Sequence, residues 1–402
     1  MSRVLPPLSL YIHIPWCVKK CPYCDFNSHN APEQLPQTEY IDALLGDLDG
    51  DLALVQGRAL QSIFFGGGTP SLFSADNIAR ILDQAASRIA FARDVEITLE
   101  TNPGTVEHGP FADYRRAGVN RISFGVQSFN DDALKRIGRI HDAAQAERAI
   151  KQAQDVGIDN LNLDLMYALP QQTLDRALDD VEKAISLQTP HLSHYQLTLE
   201  PNTQFAARPP ALPDEDSAWD MQEACQARLA ETGFAQYEVS AYARAGRECR
   251  HNLNYWHFGD YLGIGAGAHG KITQILDGGA FQVRRRWKLR APRGFLEHAG
   301  TPRGIGGDEI IAADQVPFEF MLNALRLNAG FSFAQFSANT GLSVDSISAR
   351  LHEARDHGWL EIGTQHVRAT ALGRRFLNDV IAAFLPHRKA ADMHTQAGPP
   401  HA

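Results

Sequence analysis

Short apolar runs alternate with longer amphipathic ones through the first half of this 402-residue chain. The short runs are Leu8–Ile14, Ser62–Phe65, Val95–Glu100, Arg121–Val126, Leu161–Leu165 and Ser193–Leu199. Helical periodicity fills the gaps, over Thr38–Val55, Ala75–Ile89, Ala143–Val156 and Leu174–Leu187. Strands that alternate with helices at this spacing predict a parallel sheet with crossover helices. Six such units fit an open, partial (β/α)6 barrel of the TIM type, and a closed eight-fold barrel would need more chain. The fold class is therefore α/β. Ligand sites in such barrels lie at the C-terminal ends of the strands.

A helix over Ser217–Thr232 and a strand over Tyr237–Tyr242 continue the α/β pattern. The run Leu262–Gly270 carries glycine at alternate positions, without the βαβ context or downstream acid of a dinucleotide loop. A packed turn beside the barrel fits it better. Beyond Pro302 the character changes. Glu309–Leu327 has a helical pattern interrupted by Pro317, and Phe333–Thr340 and Val344–His357 flank Gly341. A short hairpin over Trp359–Val367 and a helix over Thr370–Phe384 complete a mainly α, winged-helix-like unit. The expected organisation is a barrel with an α/β extension over 1–300, the C-terminal unit over 301–388 and a disordered tail over 389–402.

The net charge of −9 argues against bulk attraction to nucleic acid or anionic membranes. The winged unit carries seven Lys/Arg and five Asp/Glu between Phe331 and Lys389, too even a balance for a DNA reader. A lid or docking role suits it better. No apolar run approaches the roughly 20 residues of a membrane span. The first strand follows the N-terminus so closely that no cleavable signal peptide is expected. Five cysteines, three of them clustered, fit a reducing, cytoplasmic setting better than a disulfide framework.

The clustered three are Cys17, Cys21 and Cys24, spaced C-x3-C-x2-C directly after the first strand. Three thiolates can hold three irons of a [4Fe–4S] cluster, leaving the fourth open to a small molecule. A zinc site would want a fourth ligand, for which His13 and His29 are the nearby candidates. The loop resembles that of radical S-adenosylmethionine (SAM) proteins. The second strand ends in Gly66-Gly67-Gly68-Thr69-Pro70, where glycines permit close backbone approach and N–H groups can bind a carboxylate. Polar residues recur at later strand ends: Glu100 and Asn102, then Gln127, then Asp164, with Arg139 after strand four. A polar side chain in an apolar strand is costly unless it is paired or binds something.

In order, these motifs resemble the oxygen-independent coproporphyrinogen III oxidase (HemN-like) family over essentially the whole chain. The resemblance implies a [4Fe–4S] cluster on Cys17, Cys21 and Cys24. It implies that Tyr11, Tyr23, Gly67, Gly68, Thr69, Glu100, Gln127, Arg139 and Asp164 line the SAM region. Two departures point away from the oxidases. Phe26 stands where they carry a further cysteine, and little chain precedes the first strand. Both match the HemW branch, similar to haem chaperones, as does His251-Asn-Leu-Asn-Tyr-Trp256. Imidazole is a common axial ligand of haem iron, so His251 is the candidate haem ligand and Cys249 the alternative. The run Arg284–Arg290 offers guanidinium groups for haem propionates, although a solvated strand face explains it as well.

The resemblance thus implies three cofactors, the cluster, SAM and haem, and a haem chaperone rather than an active oxidase. It implies haem-accepting proteins such as respiratory haem proteins and an electron donor as partners. Nucleic acid is not expected. Peripheral membrane contact and a monomeric or homodimeric state are compatible with it.

Overall fold

The computed structural model describes residues 4–104 and 110–386, and the tail expected over 389–402 lies outside them. Its centre is a twelve-stranded sheet. The first six strands are β1 (Leu8–Ile14), β2 (Leu60–Gly67), β3 (Phe91–Thr101), β4 (Arg121–Gln127), β5 (Leu161–Tyr167) and β6 (His191–Gln196). They pair in parallel in that order. β1, β4 and β5 are buried at nearly every position. Crossover helices cover a parallel sheet, so even the polar residues within these strands, such as Ser123 and Asn162, are buried.

The helices between them include Gln37–Asp51, Ala75–Ala86, Ala143–Asp155 and Leu174–Ser186. Their starts are written in the sequence. Ser74 and Thr173 accept a backbone N–H three residues on, and Asp142 forms a capping box with Gln145. Such caps are worth ~1 kcal/mol each. Their apolar faces, including Leu44, Ile78, Ile150 and Val181, join Ile12, Phe65, Leu99, Phe124 and Leu163 in one core. This is the partial (β/α)6 barrel that the pattern predicts.

The sheet continues on both sides. β7 (Ala235–Gln236) and β8 (Ala241–Ala243) form an antiparallel edge beyond β6, so the expected strand over Tyr237–Tyr242 is a tight hairpin. On the other side β9 (Asp260–Ile264) pairs in parallel with β1. Then β10 (His269–Ile275), β11 (Phe281–Lys288) and β12 (Ile305–Ile310) extend it as an antiparallel meander. The glycine-rich run thus forms β9 and the turn into β10. Gly263 passes beneath the His269 carbonyl so closely that a Cβ would lie 2.0 Å from its oxygen.

The helix expected over Glu309–Leu327 is shorter. Ile305–Ile310 is spent on β12, and the helix runs over Val316–Ala324 with Pro317 in its first turn. A proline there loses no helical hydrogen bond. Helices Phe333–Thr340 and Asp345–Asp356 follow, then a hairpin of Leu360–Ile362 and His366–Ala369. The helix expected over Thr370–Phe384 is two, Ala371–Arg375 and Leu377–Ala382. A second apolar core, with Phe320, Phe331, Phe336, Leu351 and Phe384, also takes in Phe258 and Val283. The C-terminal elements therefore pack on the sheet extension. Among the described residues no helix is long and apolar enough to cross a membrane.

Candidate functional site

The cysteine loop leaves β1 at the C-terminal mouth of the parallel strands and is pinned along its length. Trp16–Cys17 pairs in parallel with His29–Asn30. Lys20 Nζ donates to the carbonyls of Phe26 (2.9 Å) and Ser28 (3.1 Å). Asn27 Nδ2 donates to the carbonyls of Ala266 and Arg290, both at 2.9 Å, tying the loop to the glycine-rich turn. Cys17, Cys21 and Cys24 are free thiols and half-buried. Among the described residues no group of acidic, His or Cys side chains converges to hold a single metal ion. A cluster makes a different demand, with each thiolate on its own iron.

All three thiols line one cavity of about 350 Å³. Eight of the residues singled out from the sequence line it too. Tyr23, Gly67, Gly68 and Thr69 stand near the loop, Glu100 and Gln127 at strand ends, Asp164 midway along β5 and Arg139 in the turn after helix Asp131–Arg136. Asn102 links them. Its Nδ2 donates to Thr69 Oγ1 (2.8 Å), its Oδ1 accepts from Arg139 Nη2, and Arg139 Nη1 points to Cys21 Sγ at 3.5 Å. Arg139 thus sets a permanent positive charge beside one thiol, and its Nε has no partner among the described residues. Gln127 adopts a left-handed φ of 71° at a register irregularity in β4. Such a bulge re-aims a side chain, and here Gln127 Oε1 accepts from Tyr195 Oη at 2.9 Å. The turn after it is fixed by buried Asp180, which accepts from Ser128 Oγ and Phe129 N.

Two acids lie deep in this wall. Burial, then the Asp164 charge, pushes Glu100 up to about 8. Burial also raises Asp164, against hydrogen bonds from Asn162, Ser193 and Ser123. Near neutral pH Glu100 therefore retains a proton that an exposed carboxyl would have lost. Burial likewise raises the Cys17 and Cys24 thiols.

The glycine loop differs from expectation. Its N–H groups are not open to a ligand. Gly67 N donates to Glu100 Oε2 (3.3 Å), Gly68 N to the Ile14 carbonyl (2.7 Å) and Thr69 N to the Trp16 carbonyl (2.7 Å). A Cβ on Gly67 would meet the His13 ring at 2.4 Å, and one on Gly68 the Trp16 carbonyl oxygen at 2.5 Å. Glycine is required here because the cysteine loop lies against this turn.

Two of the singled-out residues stand apart. Tyr11 lies beyond Glu100 and Gly67, on a second, open cavity of about 770 Å³, and its hydroxyl bonds His13 Nδ1 at 2.9 Å. His251 is buried, on helix Arg250–Trp256 rather than a loop. Both ring nitrogens are engaged, Nδ1 with Ser62 Oγ and Nε2 with Tyr255 Oη, each at 2.9 Å. Burial holds this imidazole down at about 3. Cys249 is fully buried and its thiol donates to Glu96. His251 lines a third cavity of about 230 Å³ with Tyr11, Glu100 and Asp164, but it could offer a nitrogen there only by breaking its bond to Ser62 or Tyr255, and the Cys249 thiol is spent on Glu96.

The basic run of β11 splits by face. Arg284 and Arg286 pair with Asp308, and Lys288 with Asp47 and Asp51. Arg285 and Trp287 face the open cavity together with Arg290. Residues that the sequence pattern does not single out also line the first cavity, among them Tyr195, Met166 and Leu197. Tyr195 was visible only as one more strand-end polar residue.

The chain matches the radical SAM superfamily model over residues 11–184 and the HemN C-terminal domain model over residues 311–376. It is 51% identical over 381 residues to the heme chaperone HemW of Escherichia coli (strain K12), covering 95% of this chain and 99% of that one. It is 34% identical to the heme chaperone HemW of Bacillus subtilis (strain 168), with 94% and 99% covered. Among solved structures, the coproporphyrinogen III oxidase HemN from Escherichia coli superposes with a TM-score of 0.78 at 22% identity, over 94% of this chain and 90% of that one. That likeness speaks to fold alone.

Proposed function

The chain belongs to the HemW haem-chaperone family of radical SAM proteins, and on that premise we propose that it binds haem and passes it to haem-accepting proteins. Cys17, Cys21 and Cys24 would hold a [4Fe–4S] cluster, with SAM in the same cavity against Glu100, Gln127, Arg139 and Asp164. A cluster of this kind supplies an electron to bound SAM. The observation that carries the reading is the convergence of three half-buried thiols with four polar residues, Glu100, Gln127, Arg139 and Asp164, on one cavity. Arg139 would offset thiolate charge at Cys21, and a protonated Glu100 would donate as well as accept hydrogen bonds. The C-terminal unit, 301–388, would act as a docking module. The setting would be the reducing cytoplasm, with an electron donor for the cluster.

Phe26 supports a chaperone over an oxidase. It is 58% exposed and rims both cavities, so an apolar ring stands where the related oxidases carry a thiol. The test is anaerobic reconstitution followed by separate additions of haem and of coproporphyrinogen III with SAM and a reductant. Haem binding without protoporphyrinogen IX formation is expected. Cluster-dependent product would restore the oxidase, and absence of haem binding would remove the chaperone.

A further inference from the structure

The open cavity beside the cysteine site has the makings of a porphyrin site. It lies between the barrel mouth, the β10–β11 hairpin and helix Val316–Ala324. Its volume of about 770 Å³ is within the ~300–1,000 Å³ of small-molecule pockets. Two tryptophans, Trp256 and Trp287, and two tyrosines, Tyr255 and Tyr261, supply flat apolar walls. Trp287 lies over Gly307 of the neighbouring strand, where a Cβ would fall 1.9 Å from the indole. The missing side chain makes room for the ring. Arg290 is exposed at this cavity and pairs with no carboxylate among the described residues.

Two histidines line the cavity, and they differ in one respect. His13 is 5% exposed and spends both ring nitrogens, on Tyr11 Oη and the Asn27 carbonyl. His269 is exposed, stacks on Trp287 at 5.8 Å with an interplanar angle of 18°, and has no hydrogen-bond partner at either ring nitrogen among the described residues. The register explains this. His269 lies directly opposite Trp287 in the β10–β11 ladder, so both side chains leave the same face of the sheet. Of His251, Cys249, His13 and His269, one has an uncommitted donor atom at an open cavity.

Resting on the haem-chaperone reading, we propose that haem occupies this second cavity with His269 as its axial ligand, Trp287 bracing that imidazole, the Trp256 ring beside the macrocycle and Arg290 on a propionate. Imidazole is a common axial ligand of haem iron. A guanidinium matches a carboxylate bidentately. The two cavities share Phe26, Gly67 and Glu100, so the haem would lie beside the cluster site without sharing its ligands.

The test titrates haem into the full chain and into His269→Ala, His269→Gln and Trp287→Ala. Soret position, low-spin ferric resonance and affinity are read, with iron–sulfide content as the control. Both His269 variants should lose the imidazole signature and bind at least about tenfold more weakly, since even an outer-shell partner costs a metal site that much. Added imidazole should restore the signature in His269→Ala, which a merely misfolded variant would not allow. Trp287→Ala should weaken binding and keep the signature. Unchanged Soret position and affinity in both His269 variants, with haem bound by the wild type, overturns the assignment and leaves the chaperone reading intact. Failure of the wild type to bind haem overturns the reading itself.

Discussion

Gly68→Ala separates two reasons for a glycine beside a cofactor. A Cβ at Gly68 would stand 2.5 Å from the Trp16 carbonyl oxygen and 2.8 Å from the Trp16 nitrogen. Both are backbone atoms and cannot rotate away. The strand that must move is Trp16–Cys17, which carries the first thiol. Its displacement strains the two 2.7 Å hydrogen bonds from Gly68 N and Thr69 N, each worth ~1 kcal/mol. Overpacking adds ~1–3 kcal/mol, so a loss of about 3 kcal/mol is expected. Thermal melts and iron–sulfide content of the anaerobically reconstituted protein measure it, and both should fall. Gly46→Ala is the control. Its Cβ has one neighbour, at 4.0 Å, in mid-helix, so it should stabilise by ~0.5–1 kcal/mol. If Gly68→Ala keeps wild-type stability and cluster content and loses only the response of the cluster resonance to SAM, the packing argument fails and the glycine serves the ligand.

Other outcomes follow from single contacts. Cys17→Ala, Cys21→Ala and Cys24→Ala should each lose cluster content, whereas Cys225→Ala should keep it; full iron and sulfide in Cys21→Ala refutes the ligand set. Lys288→Met leaves buried Asp47 and Asp51 without the ammonium that reaches them at 2.6 and 2.7 Å, and breaking such a buried group costs ~3–5 kcal/mol in denaturant melts. Adding Asp47→Asn should recover part of the loss. His194 is buried and held at about 4 by burial, so its folded value lies below its unfolded value near 6.5. The unfolded chain then takes up the proton first, and stability falls as pH drops below 6.5, by about 2 kcal/mol at pH 5 from this group. His194→Phe should flatten that part of the stability–pH curve, and an unchanged slope would count against the burial argument.

The parallel barrel was legible because most strand positions are buried on both faces and each helix is buried on one, so local pattern and tertiary role coincide. The extension was not. β9 lies beside β1, although about 250 residues separate Leu8 from its partner Asp260. Nothing local marks that pairing. Asp260 reads as polar and yet is fully buried, holding Lys271 and Arg58. The Arg284–Lys288 run reads as a solvated face because the carboxylates that neutralise it, Asp47, Asp51 and Asp308, come from other elements.

The site divides in the same way. The three cysteines and the strand-end polar residues could be found because strand ends in a parallel barrel share one face, so sequence order predicts proximity. The histidines could not be ranked. His251 stands in a motif that invites a haem role, but Ser62 and Tyr255 saturate its two nitrogens. His269 stands in a glycine-rich turn that invites none, but β-ladder register sets it against Trp287 beside an open cavity. What decides between two imidazoles is which has a nitrogen left over after folding. That quantity belongs to the packing of β2, β10 and β11 and is written in no single segment of the chain.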